Sequence, residues 1–302
     1  MPEHILSLSY GKDSLACLGA IEQLGWPLDR IVHAEVWATD TIPADLPPMV
    51  EFKAKADKII KERWGIEVEH FTSTKCEKCE AEKVTYDMCF YAKMLKGKHV
   101  GTIKGWPMQK GNWCLKLKLT ALNQMKINPG DIQYLGIAAD EPNRFHNLSD
   151  TKQSPLVEAG WTEDDCRKWC EENDLLSPIY TTATRGGCWF CHNQGVQQLR
   201  LLRKNYPELW ALMLKWDKDS PVTFKPPRRK WVPDPAGPET RLVYADDETV
   251  ELEEHGYWKN LPGCTVQDFD QRFQLEDEGL IYPDDKVFRW SMLDDELNYR
   301  LF

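Results

Sequence analysis

A chain of 302 residues with 42% hydrophobic and 28% charged side chains can bury about three quarters of its unfolded surface. That balance is a globular enzyme's rather than a disordered segment's. The formal charge is −10, yet residues 234–302 hold 18 acidic against 6 basic side chains, so the body before them is slightly positive and the total charge excludes neither nucleotide nor nucleic-acid partners. No run approaches the roughly 20 apolar residues of a membrane span. The opening residues lack a signal peptide's basic and apolar regions, so a cytoplasmic protein without a membrane partner is expected.

In chain order, His4–Ser9 alternates as a short strand, and Asp13–Leu24 reads as a helix closed by Gly25. Arg30–Trp37 is a second strand. Pro47–Trp64 is an amphipathic helix with Gly65 just past its end, and Ile66–Phe71 is a third strand. Residues 80–95 read as helix, 97–112 as a Gly/Lys-rich loop and 113–126 as helix, before a strand over Ile132–Ala138. Thr162, with three acidic residues behind it, opens a helix over 162–173. Two helices, 194–204 and 207–217, precede a Pro-rich linker or arm at 219–238, which carries the basic run Lys225, Arg228, Arg229 and Lys230. The rest is acidic and aromatic, with Phe288, Trp290 and Tyr299 near its end. Strands separated by helices predict an α/β fold, a doubly wound, mainly parallel sheet over residues 1–218, with 219–302 as a C-terminal extension.

The most informative segment is Ser9-Tyr10-Gly11-Lys12-Asp13-Ser14, where a strand ends, the chain turns at Gly11 and a helix begins. Such a turn presents unpaired N–H groups at a helix's positive end, and Lys12, Ser9 and Ser14 add donors for an anion. The alternative from the residues alone is an ordinary strand–turn–helix whose Ser and Asp merely cap the helix.

The segment resembles the S-G-G-K-D-S loop of the PP-loop adenine-nucleotide superfamily, with Tyr10 in place of the first Gly. Trp113-Cys114-Leu115-Lys116-Leu117-Lys118 is similar to the W-C-T-x-x-L-K region of phosphoadenosine phosphosulfate (PAPS) reductase-like proteins. Gly136-Ile137-Ala138-Ala139-Asp140-Glu141-Pro142-Asn143-Arg144 resembles their G-I-x-x-D-E-x-x-R segment. Pro155-Leu156, Trp161 and Asp165 resemble their P-L-x-x-W-x-x-x-D pattern. The likeness spans residues 4–217 and implies a Rossmann-like, adenine-nucleotide alpha-hydrolase-like fold.

It also implies a nucleotide site of Ser9, Gly11, Lys12, Asp13, Ser14, Asp40, Asp140, Glu141 and Arg144, with Lys12, Asp13 and Arg144 as the catalytic candidates. Asp40 capping its own turn, and Glu141–Arg144 as a local surface pair, are the plainer alternatives.

Ten cysteines, at 17, 76, 79, 89, 114, 166, 170, 188, 191 and 264, suit metal or redox chemistry in a reducing compartment better than a disulfide framework. Cys188-x-x-Cys191 follows two glycines and sits where many relatives carry G-C-x-x-C. In the branch that reduces adenosine phosphosulfate (APS), a Cys-Cys pair and a distant Cys-x-x-Cys hold a [4Fe-4S] cluster. Trp113 replaces the first of that pair here, so the resemblance carries over Cys114, Cys188 and Cys191 as metal ligands. An iron–sulfur cluster, zinc and plain structural thiols are the readings, and Cys170, His192, Cys76 and Cys79 are the candidates for a fourth ligand. Cys17, Cys89 and Cys166 read as packing residues, as does Cys170 more weakly.

The function expected from the resemblance is ATP-dependent sulfur transfer: adenylation with pyrophosphate release, Mg2+ with the ATP, a sulfur donor, and tRNA or DNA among the acceptors. The alternative is reduction of APS or PAPS to sulfite with a thiol reductant. That chemistry needs a nucleophilic cysteine, for which Cys264 is the tail's sole candidate, without the flanking residues of the classical reductases. A non-catalytic nucleotide- or nucleic-acid-binding module is the third reading. Oligomeric state is left open.

Overall fold

The computed structural model describes residues 2–74, 83–96, 100–107, 113–146, 148–181, 187–233, 242–244, 250–252, 256–261 and 263–283. For Thr181 and the strands at 228–233, 242–244, 250–252 and 256–261 it describes the backbone alone. Cys76 and Cys79 lie outside the described residues, as do Phe288, Trp290 and Tyr299.

The chain divides into two compact units, Met1–Lys104 with Lys110–Gln198, and Gly105–Gln109 with Leu199–Phe302. In the first unit, β1 (His4–Ser7), α1 (Lys12–Leu24), β2 (Arg30–Glu35), α2 (Pro47–Trp64), β3 (Val68–Thr72), α3 (Tyr86–Tyr91), α4 (Cys114–Gln124), β4 (Ile132–Tyr134), α5 (Pro142–Phe145), β5 (Lys152–Gln153), α6 (Pro155–Ala159) and α7 (Glu163–Glu172) follow one another. The five strands form one sheet in the order β3-β2-β1-β4-β5, every pair parallel. This is the α/β, Rossmann-like architecture expected from the sequence.

Strand alternation splits the core between the two faces. Leu6 and Ile31 join one cluster with Leu15 and Leu18 of α1, Phe52 and Ile60 of α2, and Cys166 and Cys170 of α7. Ile5 and Val32 point the other way, against Met125 at the end of α4. The first cluster depends on Gly19: a Cβ there would stand 2.4 Å from the Trp169 ring, so α1 and α7 approach at a distance only glycine allows. α1 ends at Gly25, whose φ of 65° is the left-handed closure the sequence predicts. α7 opens on a capping box in which Thr162 Oγ1 accepts from the Asp165 N–H and Asp165 accepts from the Thr162 N–H.

Three sequence expectations are corrected. The strand at 132–138 stops at Tyr134, because Gly136 must turn onto the start of α1. The helix at 80–95 is, among the described residues, the shorter α3. The 219–238 segment contains a strand, β6 (Arg228–Pro233), so it is more than a linker.

In the second unit, α8 (Val196–Asn205), most of which lies in this unit, and α9 (Pro207–Asp219) precede β6. β7 (Leu242–Tyr244) pairs with β8 (Val250–Leu252), and β9 (Gly256–Leu261) pairs antiparallel with β6. α10 (Val266–Asp277) packs on α9, with Trp210 and Phe273 5.8 Å apart and Arg203 and Trp210 both donating to Asp270.

Candidate functional site

In a sheet of order 3-2-1-4-5 the crossovers reverse direction between β1 and β4, and the loops leaving the carboxyl ends of those strands bound a crevice that suits a ligand. The Ser9–Ser14 loop leaves β1 at this reversal, and the Leu135–Glu141 segment leaves β4 beside it. The two are in backbone contact. A Cβ on Gly136 would lie 2.6 Å from the Ser14 nitrogen and 2.8 Å from the Asp13 carbonyl carbon and the Ser14 Cα.

The loop is tightly held. The Ser9 N–H donates to Ser14 Oγ at 3.1 Å, Ser9 Oγ lies 3.0 Å from the same oxygen, and Ser14 Oγ donates to the Gly11 carbonyl. Tyr10 has φ of 56°, the left-handed conformation that costs glycine nothing. So Tyr10 adopts a backbone conformation that glycine takes without strain. Its side chain leaves the loop altogether: it is buried, its hydroxyl donates to Asp57, and its ring meets His33 edge-on at 4.7 Å. Burial, then the bond to Asp57, pushes its hydroxyl pKa far up.

Lys12 is buried, with Nζ 2.6 Å from Asp13 and 2.8 Å from Glu163. Its backbone N–H, at the start of α1, donates to the Tyr180 hydroxyl at 3.0 Å. Burial raises the Asp13 pKa, Lys12 opposes this, and Glu163 and Glu141 add to it, so three carboxylates gather at one end of the crevice. Asp140 accepts from the Glu163 N–H at 3.1 Å and ties the β4 loop to the start of α7.

Arg144 is exposed and bonds both oxygens of Glu141 at 2.7 Å, the local pair weighed above. Asp40 is exposed on the turn after β2, which is closed by the Ala38 N–H donating to the Ile42 carbonyl. Thus Ser9, Gly11, Lys12, Asp13, Ser14, Asp140 and Glu141 are assembled around one junction. Asp40 stands at the neighbouring strand's end.

The thiols separate into two groups. Cys17, Cys166 and Cys170 are buried in the core, and Cys170 Sγ donates to the Lys12 carbonyl at 3.3 Å, which fits the packing reading. Cys114 begins α4, and the Cys188–Cys191 turn is closed by the Cys191 N–H donating to the Cys188 carbonyl. Both segments meet on Tyr86: Trp113 lies 4.8 Å and Phe190 4.1 Å from its ring. The turn is also fixed to the loop after β2, with the Trp189 indole N–H donating to the Pro43 carbonyl at 2.9 Å and its backbone N–H to the Ala44 carbonyl at 3.0 Å.

Burial, then neighbouring Cys191, raises the Cys114 thiol to about 11; burial lifts Cys188 to about 12, against Lys118. Cys114, Cys188 and Cys191 therefore share one neighbourhood although 74 residues separate the first two. Cys89 sits on α3 one turn after Tyr86 and belongs to the same neighbourhood, a member the sequence did not mark.

The sequence also missed a polar cluster on β2 and β3. His33 and Glu35 alternate onto one face of β2, and His70 registers opposite His33 on β3. His33 Nδ1 donates to the Leu8 carbonyl at 2.7 Å, and burial lowers its pKa to about 4. His70 lies between Glu35 at 2.9 Å and Asp57 at 3.1 Å, and its bonds to Asp57 and Glu35 raise it to about 9. The signal available in the sequence was His33-x-Glu35 in one strand and His70 in the next, legible once the register is known.

No protein-family model and no curated protein sequence matches the chain. Among solved structures, the U34-tRNA thiolase NcsA from Methanococcus maripaludis, determined with its [4Fe-4S] cluster, is similar over 72% of this chain and 71% of its own, at 15% identity and a TM-score of 0.34. At that score the likeness is loose, and the site is read from this chain's own residues.

Proposed function

We propose that the chain is a PP-loop enzyme that binds ATP between the β1 and β4 loops and uses it to drive sulfur transfer. The observation that carries this reading is the Lys12 N–H at the head of α1, pinned at the sheet's reversal point and already satisfied by a phenol oxygen. A phosphate oxygen replaces Tyr180 there, and Gly11, whose Cβ position would meet only the side-chain oxygens of Tyr180 at 3.4 Å and Ser9 at 3.5 Å among the described residues, lets it approach. Lys12 and the hydroxyls of Ser9 and Ser14 add charge and donors. Asp13, Glu141 and Glu163 supply the carboxylates that Mg2+ accompanying a triphosphate takes. Arg144, at the rim, and Asp40, after β2, complete the set toward the remaining phosphates and the adenosine. An acceptor oxygen attacks the α-phosphorus, pyrophosphate leaves, and sulfur then displaces AMP.

Cys114, Cys188 and Cys191 are the ligands for a [4Fe-4S] cluster, with zinc as the alternative. Their sulfur-only donor set suits either. The Trp113 indole N–H, buried with no hydrogen-bond partner among the described residues, is a donor beside Cys114 for cluster sulfur. A cluster bound there supplies a sulfur-binding iron centre. Buried His192 follows Cys191 directly and remains a candidate fourth ligand, whereas Cys170 is committed to the core.

Reduction of APS or PAPS requires a thiol that reaches the substrate's sulfur. Cys264 is buried, its backbone paired with Lys225, which weighs against that alternative. The test is anaerobic incubation with ATP, a sulfide donor and tRNA or DNA, measuring pyrophosphate and AMP, alongside APS and PAPS with a dithiol, measuring sulfite. Acceptor-dependent pyrophosphate supports the reading. Sulfite that disappears in Cys264→Ser overturns it, and failure of wild type to bind any adenine nucleotide removes the nucleotide site.

A further inference from the structure

We propose that His33, Glu35 and His70 form a binding site for one divalent first-row transition ion, zinc or a close analogue, open to the cavity beside them. One ligand atom from each of these three residues lies within 4.8 Å of the others. The arrangement follows from the sheet itself. His33 and Glu35 are two residues apart on one strand face, and His70 stands in register with His33 on the adjoining strand, so the pleat aims all three the same way.

Their orientation suits ligation. The Nδ1–H of His33 is committed to the Leu8 carbonyl, which fixes the tautomer and leaves Nε2 as the electron-pair donor toward the cluster. His70 is steered at both nitrogens by carboxylates, Glu35 and Asp57. Two imidazoles and a carboxylate form a donor set for zinc, cobalt or nickel rather than for calcium or magnesium, which take oxygen ligands. Three protein ligands leave a coordination position free. Glu35 and His70 line a cavity of about 200 Å3, with Trp37, Asp45, Lys53 and Asp57 also in its wall, so that position has room for water or a small ligand.

In the structure described here the positive charge is supplied from within. The Lys53 ammonium lies 2.8 Å from His33 Nε2 and 2.6 Å from Asp45. It occupies the point on His33 that an ion would take. Binding the ion moves Lys53 off His33 and leaves it on Asp45. The ammonium is therefore a built-in competitor. This site is independent of the nucleotide reading and of the thiols.

Cobalt(II) tests it, because thiolate ligation adds intense charge-transfer absorption that imidazole and carboxylate ligation does not. Chelator-treated full-length protein is titrated anaerobically, with Zn2+ affinity read by competition. The expected result is one equivalent of cobalt bound without thiolate charge transfer, over and above any cobalt held by Cys114, Cys188 and Cys191, with visible bands bleached by Zn2+. His70→Gln, at a ring about 30% exposed, and Glu35→Gln each weaken this binding at least tenfold. Lys53→Met tightens it. The assignment is overturned by cobalt bound solely with thiolate bands, by no binding, by His70→Gln binding as wild type does, or by Lys53→Met binding more weakly.

Discussion

Replacing Gly136 with Ala tests whether the β4 loop and the β1 loop form one unit. The backbone at Gly136 is not left-handed, so Ala meets no dihedral obstacle, and the perturbation is purely the added methyl. That methyl would stand 2.6 Å from the Ser14 nitrogen and 2.8 Å from two further backbone atoms of Asp13 and Ser14, none of which belongs to a flexible side chain. Reaching ordinary contact at 3.4 Å requires the two loops to part by about 0.8 Å.

Overpacking of a rigid site costs about 1–3 kcal/mol, and a displacement near 1 Å between groups that must meet one ligand costs on the order of a hundredfold in rate. Gly136→Ala is expected to lower the guanidinium unfolding free energy by that amount and to weaken ATP binding, read by calorimetry, about tenfold or more. Gly187→Ala is the matched control, since among the described residues its Cβ would meet nothing within 4 Å, and should leave stability within about 0.5 kcal/mol. If Gly136→Ala binds ATP and unfolds as Gly187→Ala does, the two loops do not form the site.

Gly19→Ala drives a methyl into the Trp169 ring at 2.4 Å and should cost about 1–3 kcal/mol by denaturant melting, without altering ATP affinity in the folded fraction. Arg30 forks onto Glu69 at 2.7 and 2.9 Å and lowers its pKa, so the stability this pair contributes is present above the ordinary Glu value near 4.5 and is lost as pH falls through the lower folded value. The stability difference between wild type and Glu69→Gln should accordingly be largest above pH 5 and shrink below 4.5; a difference that stays constant with pH would count against the linkage. Protein purified without oxygen should be brown and hold iron and acid-labile sulfide, and Ser at Cys114, Cys188 or Cys191 should bleach it while Cys17→Ser does not. Colourless protein holding one zinc would keep the site and reject the cluster.

Local signals carried the first unit's fold. β1, β2, α1 and α2 announce themselves by apolar alternation, helical spacing and the closing glycines 25 and 65, and Thr162 marks α7 by its cap. β5 is two residues long, too short to carry a period, and exists because β4 pairs with it. β6 hides in a Pro-rich stretch that reads as linker, and its partner β9 is identified by pairing rather than by composition. At the site, the loop residues were readable because they are consecutive. Tyr180, Tyr86 and the His33–Glu35–His70 group were not, because each acquires its role from a partner distant in sequence. Cys114 and Cys188 meet through Tyr86, a residue with no motif of its own.

Tyr10 joins the two polar centres of the first unit, and its substitutions separate backbone from side chain. Its φ of 56° is a cost of about 1–2 kcal/mol for a non-glycine residue, which Tyr10→Gly would relieve. Against this, the ring is about 1% exposed, packed against His33 and under the Lys53 ammonium at 5.2 Å, and deleting a buried aromatic costs about 3–5 kcal/mol. Tyr10→Gly should therefore lose about 1–4 kcal/mol net, although it installs the glycine of the S-G-G-K-D-S loop that the segment resembles. Tyr10→Phe keeps ring and backbone conformation but removes the donor to Asp57, which retains His70; about 1–2 kcal/mol is expected. Both are measured by chelator-treated denaturant unfolding, so that metal occupancy does not enter the comparison. Should Tyr10→Gly prove as stable as wild type, the side chain is not what holds the loop. The left-handed turn would then be fixed by Ser9, Gly11 and Ser14 alone.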